Sequence, residues 1–358
     1  MNFFNKDTKT ALEAKGLAQF IAFGPVVFQV TRVVRDNGIL AFIEENGSDG
    51  VTIEQIITHT GLSRYGVRVL LESSLGIGLV ILQHDKYKLT KTGYFILHDE
   101  LTRVNMDFVH DVCYKGLFWL NESIENGKPE GLKELGDWPT VYEGLSQLPA
   151  HIQKSWFAFD HFFSDIAFPL VLKHVYKDGI KNILEIGGNT GKWAIASAKH
   201  ANDIHVTIMD LPGQLDMAKK RMEELGYNDR VSFYPVNILD ESQPFPKGFD
   251  AVWMSQFLDC FSESEIISIL KRCAESIDDN GYVLILEAFW DTQRFETAAF
   301  CLQQTSVYFT AIANGNSQMY DSKVFIQCIY DAGFEIAEQV NNIGLSHTLL
   351  KCKKKKKG

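Results

Sequence analysis

The six cysteines of this 358-residue chain (Cys113, Cys260, Cys273, Cys301, Cys328 and Cys352) include no C-x-x-C pair. Thiols scattered in this way argue against a structural zinc site and fit a reducing compartment. No metal is expected. Basic charge is also scarce: 35 Lys and Arg stand against 45 Asp and Glu, for a net charge of −10. That balance argues against a nucleic-acid or anionic-membrane surface. No stretch of eighteen uncharged apolar residues exists, so nothing is expected to span a membrane. Segment 20–34 is apolar-rich but short, is interrupted by Gln29 and Arg32, and reads as a buried or interface helix. The start, Met1-Asn-Phe-Phe-Asn-Lys-Asp7, lacks the basic region and apolar core of a signal peptide. A cytoplasmic location is the expectation. The five lysines at 353–357 are expected to be a solvated, frayed end.

What the chain has is the segment Asn182-Ile-Leu-Glu-Ile-Gly-Gly-Asn-Thr-Gly191. A short apolar run becomes a glycine turn, with Glu185, Gly187 and Gly191 in an E-x-G-x-x-x-G spacing. This reads as a buried parallel strand followed by a turn where a ligand approaches the backbone. About twenty residues on, His205-Val-Thr-Ile-Met-Asp210 ends a second strand with an acid. An acid there can accept both hydroxyls of a ribose. A dinucleotide fingerprint is absent, because Asn189 and Lys192 stand where its second and third glycines belong. A phosphate loop is absent too, because Trp193 follows Gly191-Lys192. An acid two residues before the first glycine suits a cofactor with a cationic or amino-acid end. S-adenosylmethionine has both that end and a ribose. The alternative is a doubly wound domain whose glycines only let a helix pack against a strand.

Residues 8 to about 46 read as helices. Thr52 with Gln55 forms a capping box, Thr60-Gly-Leu-Ser63 a turn with a new cap at Ser63, and a second helix follows over 64–75. Strands at 79–82 and 86–89, closed by Thr90, complete a winged helix-turn-helix pattern. Its second helix offers only Arg64 and Arg68, opposed by Glu72. A DNA reader usually has a stronger basic face, so packing or dimerisation is the favoured role. Residues 97–177 read as helical and aromatic-rich. Strands are expected at 182–186, 204–210, 231–235, 250–255 and 281–287, then helices at about 293–313 and 321–332. Final strands near 334–340 and 345–351 should form an antiparallel edge hairpin. Alternation of this kind gives an α/β, doubly wound sheet that binds ligands beyond the carboxyl ends of its strands. Gly187, Asp210, Asn237, Asp259 and Glu287 all fall at such ends. The domains expected are 1–105, 106–178 and 179–358.

On these residues the chain resembles the class I S-adenosylmethionine-dependent methyltransferases, and most of all the two-domain small-molecule O-methyltransferases of plant caffeate and bacterial polyketide type. Leu184-Glu-Ile-Gly-Gly-Asn-Thr-Gly191 matches the glycine motif, Asp210-Leu-Pro212 the D-L-P motif and Ala332-Gly-Phe334 the A-G-F motif. Segment 230–239 matches the stretch whose aspartate contacts the adenine region, and here that residue is Asn237. The resemblance implies a Rossmann-like seven-stranded sheet, an N-terminal winged-helix dimerisation domain and hence a homodimer. It implies S-adenosylmethionine held by Glu185, Gly187, Gly188, Gly191, Asp210, Leu211, Asn237, Ile238 and Ser255. The catalytic stretch departs from the family pattern. Phe257-Leu-Asp-Cys-Phe261 puts Asp259 where the family has its histidine base, with Cys260 and Phe261 beyond it. Glu287 keeps one of that base's two acidic supports, and the other falls at Met319.

The expected activity is therefore O-methylation of a small aromatic or polyketide-like hydroxyl compound, with Asp259 and Glu287 handling the proton. The alternatives for Asp259 are a cap for the helix starting near Ser262, or a cofactor contact. Trp119, Phe157, His161, Phe162, Phe300, Tyr308 and Met319 are the candidate acceptor-pocket residues. The altered base also leaves N- or C-methylation and a non-methyl reaction open. A winged-helix regulator is the third reading, disfavoured by the acidic charge.

Overall fold

A computed structural model describes residues 3–356. They form two compact units, Phe4–Val109 and the chain from His110 onward.

The first unit runs α1 (Ala11–Ala22), α2 (Gly24–Asp36), α3 (Ile39–Glu45), α4 (Ile53–Thr60), α5 (Arg64–Ile77), the hairpin β1 (Val80–Gln83) and β2 (Lys86–Leu89), α6 (Lys91–His98) and α7 (Glu100–Phe108). The starts of its helices follow the sequence signals. Thr52 and Gln55 exchange side-chain and backbone bonds at the head of α4. Ser63 accepts the Gly66 N–H at the head of α5. Val34, Ile39, Leu40, Ile56, Val67 and Leu71 form the centre of its core. Arg64 and Arg68 of α5 are ion-paired with Glu54 and Glu72.

Segment 20–34 is not one helix. Pro25 enters α2 at its first turn, and a proline ring cannot continue a preceding helix. The chain bends by 66° between α1 and α2, and α1 buries none of its residues within this chain. Among the described residues no single helix is long and apolar enough to cross a membrane.

The second unit opens with α8 (Leu120–Asn126), α9 (Val141–Gly144) and the long α10 (Ala150–Val175). Strands and helices then alternate: β3 (Asn182–Ile186), α11 (Lys192–His200), β4 (His205–Asp210), α12 (Pro212–Leu225), β5 (Val231–Pro235), β6 (Phe249–Ser255), α13 (Glu263–Ser276), β7 (Ile277–Ala288), α14 (Glu296–Tyr308), α15 (Ser322–Asp331), β8 (Phe334–Ile343) and β9 (His347–Lys354). The seven-stranded sheet has the order β5-β4-β3-β6-β7-β9-β8. The first five strands are parallel, and β9 lies antiparallel to both β7 and β8.

Apolar residues on both faces of the central strands explain this architecture. Ile183, Trp253, Leu284 and Leu286 pack with Phe168, Val171 and Val175 of α10 on one side. Leu184, Val252, Val283 and Ile285 pack with Ile266, Ile269, Phe325 and Ile329 of α13 and α15 on the other.

Two expectations are corrected here. The helix expected to run from 293 begins at Glu296 and changes at Phe309 to a π-helical turn ending at Ala313. The lysine tail is not frayed from its start, because Lys353 and Lys354 belong to β9. Lys353 lies over the Tyr282 ring, and Lys354 Nζ donates to the Ile277 carbonyl. Long amphipathic stems let lysines pack this way at a sheet edge. Lys357 lies outside the described residues.

Candidate active site

At the carboxyl end of β3 the chain turns at Gly187 with φ +73. A Cβ there would lie 2.1 Å from a carbon of the Phe257 ring. A Cβ on Gly188 would lie 2.6 Å from Ile208 Cγ2 and 2.9 Å from Glu185 Cδ. The glycines therefore let a tight loop close against strands and side chains. Asp210, at the end of β4, holds that loop. Its Oδ2 accepts the Asn189 N–H at 2.8 Å and its Oδ1 accepts the Leu211 N–H at 2.7 Å. Burial pushes the Asp210 carboxyl up to about 6, against the opposing pull of those two bonds.

Glu185 is 3% exposed. Burial, and then the charge of Asp210, hold its carboxyl well above the usual range. Its Oε2 has no hydrogen-bond partner, and the same is true of the buried atoms Asn189 Oδ1, Ser255 Oγ and Gln256 Oε1. Buried polar atoms are rarely left unpaired. Four of them at one rim of a sheet mark a place for a polar ligand. Asn237 is exposed, and its Oδ1 accepts the Leu239 N–H at 3.0 Å. Ile238 packs its side chain into the core, while its carbonyl accepts from Arg272.

Beyond β6 lies a buried acid group. Asp259 is 7% exposed, and burial pushes its carboxyl up to about 6. The Cys260 thiol donates to Asp259 Oδ1 at 3.4 Å. The helix that follows is capped without Asp259: Ser262 and Glu265 form a complete capping box at the head of α13. Glu287 is 1% exposed. Its Oε1 accepts the N–H groups of Phe257 and Leu258 at 2.9 and 2.8 Å, so it anchors the turn that carries Asp259. Burial and the Asp259 charge hold the Glu287 carboxyl well above its usual range, and its Oε2 has no partner. Met319 is buried, and its N–H donates to Ser306 Oγ at 3.1 Å.

Helix α10 brings an acid that the sequence reading passed over. Burial, and then the charge of Asp259, push the Asp160 carboxyl up to about 7. Asn189 Nδ2 donates to Asp160 Oδ2 at 3.5 Å, and Gln256 Nε2 donates to the Asp160 carbonyl at 3.3 Å. Beside it, His161 Nε2 lies 3.4 Å from Thr190 Oγ1, and the imidazole stacks on Phe157 at 5.4 Å. Burial, helped by Lys192, pushes His161 down to about 4, so the ring is neutral near pH 7. Trp156 Nε1 donates to the Tyr308 hydroxyl at 2.8 Å. Tyr142 joins this group: its hydroxyl is raised by burial, then by the charges of Cys260 and Tyr308.

The other candidate pocket residues are placed differently. Trp119 donates to Glu134 at 3.0 Å and carries Lys133 Nζ over its ring. Phe162 packs edge-on against Phe163, and Phe300 is 53% exposed. Asp160 had a legible signal, a lone acid inside the aromatic run Trp156-Phe-Ala-Phe-Asp-His-Phe-Phe163. Tyr142 had none.

A doubly wound sheet with an acid, a glycine turn and a second acid at its rim defines a class I methyltransferase fold. A Dimerisation2-like domain pattern matches residues 15–87, and an O-methyltransferase domain pattern matches residues 160–335. The chain belongs to the O-methyltransferase family of S-adenosylmethionine-dependent enzymes. It is 23% identical over 330 residues to an L-tyrosine C(3)-methyltransferase of Streptomyces lavendulae, covering 91% of this chain and 88% of that one. The mitomycin 7-O-methyltransferase MmcR shares the fold at a TM-score of 0.73 and 14% identity, with 96% and 98% of the two chains covered. An O-methyltransferase from neocarzinostatin biosynthesis, solved with S-adenosylmethionine and 2-hydroxy-5-methyl naphthoic acid, shares it at 0.68 and 18% identity, covering 92% and 96%.

Proposed function

We propose that this enzyme methylates a hydroxyl group of a small aromatic or polyketide-like acceptor, with Asp259 in the place of the base. The observation that carries the proposal is Asp259 itself, a buried acid pushed up to about 6 beyond β6, at the same sheet rim as the Glu185 and Asp210 cradle.

The residues present fit the cofactor. The unpartnered Glu185 Oε2 suits an amino group. Asp210 has lone pairs left for ribose hydroxyls after accepting two N–H groups. Gly187, Gly188 and Gly191 leave the backbone approachable. Leu211, Asn237, Ile238 and Ser255 complete the proposed set. When bound, S-adenosylmethionine supplies a methyl group on a sulfonium, already a good leaving group.

The protein's share is to orient the acceptor and take its proton. Asp259 accepts the hydroxyl proton, and Glu287 holds the turn that aims it. A phenol near pKa ~10 giving its proton to a carboxylate near ~6 climbs about 4 units, or about 5 kcal/mol. Proton removal by Asp259 is thus a modest contribution, and positioning carries more of the acceleration. Phe157, Tyr308, His161 and Met319 offer the acceptor a largely apolar, aromatic wall. The enzyme works as a homodimer through the unit Phe4–Val109, in keeping with the dimerisation-type domain matched there.

A second reading is methylation at ring carbon beside the hydroxyl, favoured by the L-tyrosine C(3)-methyltransferase among the relatives. It uses the same first proton transfer, and a ring proton leaves afterwards. The test is incubation with donor carrying a carbon-13 methyl group and a panel of phenols. The chemical shift of the new methyl separates oxygen from carbon. Binding of the spent cofactor without transfer to any phenol would sink the acceptor assignment. No binding of either cofactor form would sink the whole proposal.

A further inference from the structure

The rim of the sheet collects several buried acids. Asp160 from α10 feels the charge of Asp259 from the turn after β6. Glu287 lies against Asp259, is 1% exposed, and keeps Oε2 without a partner. Lys192 is the positive group that acts on Asp160. Its ammonium is held by Asp165, 2.5 Å away. His161 is neutral near pH 7.

Around these acids stand aromatic groups: Trp156, Phe157, Tyr142 and Tyr308. Buried carboxylates left without a counter-charge are costly. A bound cation would remove that cost, and a bound anion would add to it. The asymmetry is built in by residue type. Asp259 occupies a histidine position of the family pattern, and Asp160 is a second acid on which its charge acts. Asp160 keeps 28% of its side chain accessible, so a ligand group can reach it. Among the described residues Asn189 Nδ2 gives its carboxylate a long hydrogen bond, and His161 Nε2 lies 3.8 Å from the same oxygen.

We propose that Asp160, backed by Asp259, binds a protonated amine carried by the acceptor, so that the enzyme selects amine-bearing aromatic acceptors over carboxylate-bearing ones. This rests on the methyltransferase reading above and narrows its acceptor class. The amine seats near Asp160, on the α10 side, and the ring lies along Trp156 and Phe157. Asp259 remains beside the hydroxyl.

The test uses the full-length protein saturated with the spent cofactor, S-adenosylhomocysteine. Binding is measured by calorimetry for matched phenols and naphthols whose side arm ends in an amine, a methyl or a carboxylate. The expected order is amine, then methyl, then carboxylate, with at least about a tenfold step between the amine and the carboxylate, about 1.4 kcal/mol. Asp160→Asn should shrink that step to within about threefold, and Asp160→Glu should restore it. A carboxylate that binds as well as its amine, no amine preference on either ring system, or a preference that survives Asp160→Asn would each overturn the proposal. So would an Asp160→Asn variant that loses affinity for the sulfonium donor while keeping the amine preference, since Asp160 would then serve the cofactor instead. Failure of S-adenosylhomocysteine itself to bind would instead indict the methyltransferase reading beneath it.

Discussion

The ring of Phe257 lies on the face of Gly187, so close that a Cβ at 187 would stand 2.1 Å from one of its carbons. Residues seventy positions apart in sequence thus shape one wall of the glycine loop. Gly187→Ala brings two penalties together, a clash with that ring and a left-handed φ of +73 that L side chains rarely adopt. The expected outcome is at least about a thirtyfold loss of affinity for S-adenosylhomocysteine, measured by calorimetry. Gly187→Ala combined with Phe257→Ala removes the clash but not the strain, and should recover only part of that loss. Normal cofactor affinity in Gly187→Ala would mean that the loop does not approach the ligand.

Glu287 accepts two backbone N–H groups through one oxygen, and burial and the Asp259 charge raise its carboxyl well above its usual range. A glutamine keeps that acceptor and carries no charge. Glu287→Gln should therefore leave the folding free energy within about 1 kcal/mol of wild type at pH 6. Glu287→Ala strands both donors in the interior and should cost about 2–4 kcal/mol. Denaturant unfolding of the two variants checks the contrast. Equal losses in both would show that the residue's charge matters more than its acceptor role.

Turnover tests Asp259 directly. If Asp259 takes the acceptor proton, Asp259→Asn should lower kcat by about 10²–10⁴-fold, with a smaller change in KM. The wild-type pH–rate profile should rise through about 6, where burial places this carboxyl. Asp259→His, which restores the family's residue, should keep activity and move that rise. Unchanged turnover in Asp259→Asn would leave the residue without a chemical role.

These predictions draw on parts of the fold that were unequally legible in the sequence. The strand ends at Gly187 and Asp210 could be read because buried parallel strands are continuous apolar runs and their tips carry glycine or acid. The capping box at Thr52 could be read because it is local. The break at Pro25 was missed because an apolar run of that length hides a single proline. Asp160 was missed because its surroundings come from the glycine loop at Asn189 and the turn carrying Gln256 and Asp259, two segments that only the tertiary fold brings to α10. Glu287 was expected to support a base, and its bonds to the Phe257 and Leu258 backbone depend on the shape of a turn that spacing does not reveal.

The pH dependence of stability follows from the same buried acids. Asp259 and Asp210 are raised from 3.8 to about 6, and Asp160 to about 7. Between the unfolded and folded values the folded chain holds more protons, so stability falls as pH rises through that window. His161 and His347, lowered from 6.5 to about 4 by burial, act oppositely below 6.5 and are lost as pH falls through about 4. Above 6.5 the histidines have no further effect, while Asp160, raised to about 7, continues to titrate. The ligand-free protein should therefore melt at a lower temperature at pH 8 than at pH 6.5. Asp160→Asn should reduce that difference. A Tm that rises from pH 6.5 to pH 8 would contradict the buried-acid account.

Helix α1 and its C-cap Phe23 present apolar side chains outward: Leu12, Ile21 and Phe23 are 80%, 67% and 59% exposed within the single chain, and no residue of α1 is buried. An apolar face of that kind on a dimerisation-type unit needs cover, and a second copy of the chain is the proposed cover. Burying a side chain such as Ile21 or Phe23 contributes about 1.5–3 kcal/mol. Ile21→Asp with Phe23→Asp should thus weaken association by about 10²–10⁴-fold. Sedimentation at micromolar protein should show wild type as a dimer and the double variant as a monomer. Far-ultraviolet circular dichroism should be unchanged, because neither side chain belongs to the core of its own chain. A wild-type protein that sediments as a monomer across that concentration range would leave the α1 face without a partner and remove the dimer from the functional picture.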